Sequence, residues 1–145
     1  GTVCHAVVEL RDVMPTLLAA AGVPAPASVD GHSLLPLAQN PSGRVREWLH
    51  GEHSYGEFSN HWIVTETDKY IWHAQSGQEQ YFDLQADPHE CHDLIHSAAH
   101  QTRIATLRNH LIDALRDRPE GFTDGTKLIP GRPYEPILPS ATQAS

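Results

Sequence analysis

The spacing of apolar residues predicts a short strand and a helix at the start of the chain. Residues 6–10 form a brief apolar run, and apolar side chains then recur at helical spacing over residues 13–21. Asp12 is suited to the N-cap, and Pro15 falls in the first turn, where no intrahelical N–H is lost. Gly22 stands where a left-handed C-cap is expected. The pattern therefore predicts a strand followed by a helix over residues 13–21.

Four strand-like runs of aromatic and β-branched residues occupy the middle of the chain. Runs so closely spaced favour an antiparallel meander. Trp62 and Val64 share a face by the two-residue period, and we expect them, with Ile71 and Phe82, to face a covering helix. The predicted strands are residues 48–53, 61–66, 69–73 and 79–84.

A second helix is predicted after the strands. Its apolar stripe runs through residues 97–116 and ends before Pro119. Beyond it, prolines recur through residues 119–145, which is typical of an extended tail. The whole pattern predicts an α+β fold, in which a small antiparallel sheet of about four strands packs against a long C-terminal helix.

The charge balance narrows the classes of partner. The 145 residues carry 10 basic and 18 acidic side chains, a net charge of −8 with histidine neutral. Such a chain lacks the basic surface that binds phosphate backbones, so we expect neither nucleic acid nor an anionic membrane as a partner. No apolar run approaches the roughly 18 residues of a membrane-spanning helix.

The chain begins Gly1-Thr2-Val3 without a methionine. We therefore expect a processed chain or a piece of a longer protein. Cys4 and Cys91 are too few for a disulfide framework, and they assign no compartment.

The 11 histidines include one array with metal-ligand spacing. His92, His96 and His100 lie four residues apart, which on a helix would place three imidazoles on one face. Together with His89 they form a set that zinc would accept. The alternative, which we favour, is a solvated helix face.

A second cluster, Gly51-Glu52-His53, lies at the end of a predicted strand. Polar residues where a strand meets a loop are common ligand contacts, although they can also be an ordinary polar strand end. Alternation sends Glu52 and His53 to opposite faces. We favour His53 as the residue that would meet an anionic substrate, because a carboxylate would repel it.

Four stretches in fixed order resemble the carboxyl-terminal part of a sulfatase, within the alkaline-phosphatase superfamily. Three of them resemble the family patterns Asp-x-x-Pro-Thr-Leu-Leu, Asp-Gly-x-Ser-Leu-x-Pro-Leu and Tyr-Asp-Leu followed by Asp-Pro-x-Glu and Leu, and the fourth is Gly-Glu-His. They stand at residues 12–18 with Gly22, 30–37, 81–94 and 51–53, respectively.

The resemblance implies a domain plan. Residues 1–40 would end the large α/β sulfatase domain as a strand–helix remnant. Residues 41–118 would form the small α+β domain, and residues 119–145 a proline-rich tail. The missing amino-terminal domain would then be the partner of this chain. Helix 13–21, too apolar for solvent, would otherwise offer a surface for self-association.

The resemblance also implies a parent enzyme that hydrolyses small sulfate esters with formylglycine and a divalent, calcium-like cation. The chain lacks the Cys/Ser-x-Pro-x-Arg motif that yields formylglycine and the acidic pairs that hold the cation. We therefore expect no catalytic residue, no bound cofactor and no activity in this piece alone. Glu52 and His53 remain candidates for the rim of the substrate pocket.

Three alternatives remain open. The same carboxyl-terminal design would serve a phosphonate or phosphate-ester hydrolase of this superfamily. The chain could also be a stand-alone, non-enzymatic binding module. A small zinc protein using His89, His92, His96 and His100 is the third.

Overall fold

The computed structural model of the protein describes residues 2–54 and 56–133. They divide into two compact units, with the boundary between Leu49 and His50. The first unit contains a 3-10 turn, Leu10–Asp12, and two helices, α1 (Val13–Ala20) and α2 (Leu35–Gln39). The second contains the sheet and the third helix. The domain limits inferred from the sequence stay predictions.

Helix α1 ends as its sequence predicts. Gly22 takes a left-handed φ of +69°. The N–H of Val23 donates to the carbonyl of Leu18 at 2.9 Å, and that of Gly22 to Ala19 at 3.1 Å. This is the Schellman arrangement, which satisfies the carbonyls at the helix end.

The beginning of α1 differs from the prediction in two ways. Residues 6–10 form no strand, because within the described residues they have no hydrogen-bonded strand neighbour. Asp12 has helical backbone angles, and its side chain does not cap the helix. Its buried carboxylate instead accepts two hydrogen bonds from Arg46, at 2.6 and 2.7 Å. The Arg46 guanidinium holds the pKa of Asp12 well below its usual range.

The first two sequence motifs are joined through backbone donors. Asp12 accepts a hydrogen bond from the N–H of His32 at 2.8 Å. One helical turn later, Thr16 Oγ1 accepts from the N–H of Leu34 at 2.9 Å. Gly31 lies so close to the carbonyl of Arg11 that a Cβ would overlap it. The segment before α2 is therefore fixed against α1 at three successive points.

The second unit is built on a four-stranded sheet in the order β1-β2-β3-β4. The pairs β2–β3 and β3–β4 are antiparallel. This confirms the predicted meander, and the strand bounds lie close to those inferred from the sequence. The strands are β1 (Leu49–His53), β2 (Asn60–Val64), β3 (Asp68–His73) and β4 (Glu79–Asp83).

The long helix α3 (Gln101–Ala114), preceded by the 3-10 turn Ala98–His100, confirms the predicted helical stripe. Its apolar residues Ile104, Leu107 and Leu111 are fully buried. Two arginines of α3 show which face of the sheet it covers. Arg103 pairs with Asp68, and Arg108 pairs with Glu79 while lying 5.8 Å from the centre of the Tyr70 ring.

The expectation that Trp62, Val64, Ile71 and Phe82 face this helix is wrong. In register, Ile63 stands opposite Tyr70, and both are fully buried. Asp68, Tyr70 and Trp72 alternate on β3, so the residues that share the α3 side with Ile63 are Tyr70 and Trp72. Trp62 pairs with Ile71 on the other face, where both are half-buried. The alternation of side chains along the strands agrees with the prediction, but the side that faces α3 is the opposite one.

The sequence motif at residues 81–94 covers the outer edge of β4. The N–H of Tyr81 donates to Asp93 Oδ1 at 3.0 Å, and the N–H of Leu94 donates to the carbonyl of Tyr81 at 2.8 Å. Asp87, just before Pro88, accepts a hydrogen bond from the N–H of His92 at 2.7 Å. These contacts hold the connection to α3 against the sheet and occupy backbone groups that an exposed edge would offer.

Part of the predicted tail packs on the second unit. Phe122 is fully buried, and the N–H of Gly131 donates to the carbonyl of Ala74 at 2.9 Å. Residues 134–145 of that tail lie outside the described residues. Among the helices of the described residues, none has the length and apolarity that crossing a membrane requires.

Candidate functional site

The cluster Gly51-Glu52-His53 forms the second half of β1. Gly51 has a steric role, because a Cβ at this position would overlap the indole ring of Trp62 on the neighbouring strand. The ring therefore lies directly against the backbone of β1. Only glycine allows this approach without displacement of Trp62.

Glu52 and His53 meet different surroundings. The Glu52 carboxylate accepts a hydrogen bond from Arg118 Nη1 at 2.9 Å and lies 3.4 Å from His61 Nδ1. His53 is exposed at the end of the strand. The carboxylate thus has partners within the second unit, and the His53 residue is solvent-exposed. A substrate role for either residue stays a prediction.

His61, on β2, is a buried side chain that lies close to Glu52. Its side chain has no exposed surface, and its ring lies 5.8 Å from the Trp72 ring and 5.0 Å from the Phe122 ring. His61 Nδ1 is 3.2 Å from His50 Nε2, a hydrogen-bond distance. Burial, reinforced by His50 and Arg118, lowers the pKa of His61 to about 3. The ring is therefore neutral near pH 7 and can offer a nitrogen lone pair.

Arg118 links two carboxylates beside His61. It donates to Glu52 and, from two other guanidinium nitrogens, to Glu120 at 2.8 and 3.2 Å. Hydrogen bonds from Arg118 lower the pKa of Glu120. Arg118 contributes one positive charge beside His61, and Glu52 and Glu120 contribute two negative charges.

The histidine array inferred from the sequence is not on one helix face. Residues 89–97 lie before the 3-10 turn that begins at Ala98, so His92 and His96 are not helical. Pro88 and the positive φ of Glu90, 55°, belong to a turn instead. Among the described residues, the His and acidic side chains close enough to share one ion are His50, Glu52 and His61.

Sequence inspection included Glu52 but missed His50 and His61. His50 and Glu52 occupy alternate positions of one strand and so share a side, and His61 stands on the strand that follows. Ligand residues at positions i and i+2 of one strand, with a third on the next strand of a predicted hairpin, can lie close together. This pattern could have identified the cluster from the sequence.

Comparison with known proteins agrees with this architecture. Residues 1–117 match the family model of the N-sulphoglucosamine sulphohydrolase C-terminal domain. An arylsulfatase of Clostridium perfringens is 51% identical over 137 residues, which are 94% of this chain and 28% of the relative. The chain thus spans about a quarter of the length of that relative.

Two solved structures share the fold at low sequence identity. One is a protein in complex with its substrate D-glucosamine-2-N,6-O-disulfate, with a TM-score of 0.64 and 23% identity, over 72% of this chain and 23% of that one. The other is a phosphonate monoester hydrolase from Silicibacter pomeroyi, with a TM-score of 0.58 and 21% identity, over 72% and 24%. The match over residues 1–117 and the close arylsulfatase relative establish that the chain belongs to the sulfatases, as a C-terminal domain of the N-sulphoglucosamine sulphohydrolase type.

Proposed function

We propose that this chain is the carboxyl-terminal part of a hydrolase that acts on sulfate esters, where it completes the fold and contributes to the rim of the substrate pocket. The 51% identity to an arylsulfatase over nearly the whole chain carries this proposal. The relative is much longer, so the reaction itself is assigned to residues outside this segment.

A phosphonate or phosphate-ester hydrolase is the second candidate. The phosphonate monoester hydrolase among the structural neighbours supports it at the level of the fold. Sulfate and phosphonate monoesters both present tetrahedral anions to the site. The sequence identity to an arylsulfatase favours the sulfate ester.

The chain's own residues do not fit the cofactors of the resembled family. Formylglycine and a calcium-like cation would supply the nucleophile and the charge stabilisation. Neither Cys4 nor Cys91 stands in a Cys-x-Pro-x-Arg motif, and the paired aspartates are absent. We therefore expect the isolated chain to be inactive.

An activity assay on the purified 145-residue chain tests that expectation. No turnover of an aryl sulfate is expected, with or without added calcium. A polypeptide extended at its amino terminus to the length of the arylsulfatase relative should hydrolyse the same ester. Cation-dependent turnover by the short chain would contradict the proposal, and a parallel preparation from cells lacking the chain controls for a host enzyme.

The apolar side of α1 supports a scaffold role. Leu10, just before the helix, is 89% exposed and Leu17 is 65% exposed, while Val13 and Met14 are about half exposed. Such a group of exposed apolar side chains is typical of a contact surface. In our proposal it packs against the remainder of the enzyme. In the isolated chain it should bind an apolar dye or cause concentration-dependent self-association, and a dye-silent monomer would count against this packing.

His53 is our candidate for a contact with substrate. Its exposed position at the end of β1 supports this choice. A neutral imidazole N–H can donate to a sulfate oxygen, and the protonated ring can offset part of the negative charge. In the full-length enzyme, His53→Ala should lower kcat/KM about tenfold, or about 1.4 kcal/mol of transition-state stabilisation, at unchanged Tm.

The matched control is His96→Ala, which removes another exposed imidazole of the second unit. It should leave both kcat/KM and Tm unchanged. Unchanged kinetics in His53→Ala would reject the substrate role. A parallel loss of activity and Tm would assign His53 to the scaffold.

A further inference from the structure

Three side chains of the second unit place their ligand atoms in one small volume. His50 and Glu52 share a side of β1, and His61 stands on the neighbouring strand β2. His50 Nε2 is 3.2 Å from His61 Nδ1, and that nitrogen is 3.4 Å from Glu52 Oε2. The ligand atoms of the three residues all lie within 4.8 Å of one another.

The two short distances match the edges of a tetrahedral zinc site. Zinc bonds to histidine nitrogen and carboxylate oxygen are about 2.0–2.1 Å, so neighbouring ligands of a tetrahedral ion are about 3.3–3.4 Å apart. His50 and Glu52, the third pair, also lie within 4.8 Å of each other, and Glu52 would move toward His50 to complete the site. Two imidazoles and one carboxylate are also a donor set that zinc uses, whereas calcium and magnesium prefer oxygen ligands alone.

The surroundings of His61 prepare it as a ligand. Its ring is buried against Trp72 and Phe122, which restricts the orientations it can take. A ring held in this way loses little freedom when it binds an ion.

Arg118 is the charged group that opposes a cation here. It holds Glu52 Oε2 at 2.9 Å, so an ion would share or replace that hydrogen bond. Arg118 also pairs with Glu120 through two nitrogens, which gives the guanidinium a second carboxylate if Glu52 turns to a metal. The two carboxylates and one guanidinium leave a net negative charge that favours a divalent cation.

We propose that His50, Glu52 and His61 form a binding site for one zinc-like divalent cation. The ion would join β1 to β2 beside the C-terminal segment that carries Phe122, and a fourth position would be left to water. This site uses none of the histidines of the 89–100 array. Its three ligands all lie in the second unit.

Metal titration of the chain tests the site. The 145-residue protein, prepared without a histidine tag and stripped with a chelator, would be titrated with Co²⁺ and followed by its visible absorption, and with Zn²⁺ followed by calorimetry. We expect one equivalent to bind, an intense tetrahedral Co²⁺ band that Zn²⁺ abolishes, and a rise in Tm with zinc.

Variants assign the ligands. Removing even an outer-shell partner of a zinc site costs about 10–100-fold in affinity, so His50→Ala and Glu52→Gln should each weaken binding at least about tenfold. Glu52→Gln is the deciding variant, since it keeps the size of a half-buried side chain and a hydrogen-bond acceptor for Arg118. The double variant His92→Ala/His96→Ala, in exposed positions, should bind as the parent does.

Three results would overturn the proposal. The first is the absence of stoichiometric binding to the parent chain. The second is unchanged affinity in both His50→Ala and Glu52→Gln, with the fold checked by circular dichroism. The third is loss of binding in the His92→Ala/His96→Ala variant, which would assign the ion to the exposed array instead.

Discussion

The side of the sheet that packs against α3 can be tested by trimming two neighbouring residues of β2. Ile63 is fully buried on the α3 side, and Val64 is half-buried on the opposite side. Trimming Ile63 should therefore destabilise the protein much more than trimming Val64. Both residues are β-branched and aliphatic, and they are neighbours on the same strand. The two variants therefore differ mainly in the side of the sheet from which carbon atoms are removed.

The burial of Ile63 sets the expected magnitudes. Ile63→Val removes one buried methylene, which is worth about 0.8 kcal/mol of transfer and about 1 kcal/mol in a packed core. Ile63→Ala removes three carbons, or about 2.4 kcal/mol of transfer, to which the cavity adds a further amount, so we expect about 3–4 kcal/mol. Val64→Ala removes two carbons from a half-exposed site and should cost about 1 kcal/mol or less.

Urea unfolding followed by tryptophan fluorescence measures these differences. Trp72 lies across the β2–β3 pair from His61 and is almost fully buried, so its emission should respond when the sheet is lost. Circular dichroism at the same urea concentrations would check that one transition is being followed. If Val64→Ala costs as much as Ile63→Ala, or more, then α3 covers the other face and the assignment of the core is wrong.

Two further predictions follow from contacts within the described residues. Gly51→Ala should destabilise the chain by about 1–3 kcal/mol, the range for overpacking, because its Cβ would overlap the Trp62 indole. In a Trp62→Ala background the same change should cost much less. Equal costs in both backgrounds would refute the steric explanation. The free energy of unfolding should fall as the pH drops below about 4, the unfolded-state pKa of carboxyl groups. The Arg46 guanidinium lowers the pKa of Asp12. Burial acts to raise the pKa of Asp68, but hydrogen bonds from Arg103 and Thr65 outweigh the effect of burial, so this pKa is lowered as well. Their stabilisation is complete above that pH, and urea unfolding between pH 7 and 3 should show a shallower fall in Asp68→Asn than in the parent.

The strand limits could be predicted from the sequence because turn-forming residues interrupt each aromatic or β-branched run. The inward face could not, since both faces of β2 and β3 carry large apolar residues. Trp62 and Ile71 look as suited to a core as Ile63 and Tyr70. On the side that faces α3, the buried carboxylate of Asp68 pairs with Arg103 of that helix. Such a pairing between distant segments leaves no periodic signal.

Only part of the cluster around His61 could be predicted from the sequence, for a related reason. Glu52 was singled out through its neighbours in the chain, Gly51 and His53. The residues that contact it, His61 and Arg118, are distant in sequence and meet it only when the sheet and the C-terminal segment assemble. His92 and His96 do not share a helix face, because regular spacing implies a shared face only where a helix exists.

The joining of α1 to the segment before α2 has a consequence for how relatives of this chain can differ in length. Asp12 and Thr16 bind the main-chain N–H groups of His32 and Leu34, which every residue except proline possesses. Insertions or deletions between Val23 and Asp30 should therefore be accommodated as long as the chain returns to Gly31, where side chains are excluded. We expect homologous loops here to vary freely in length and composition, while proline is avoided at the two donor positions.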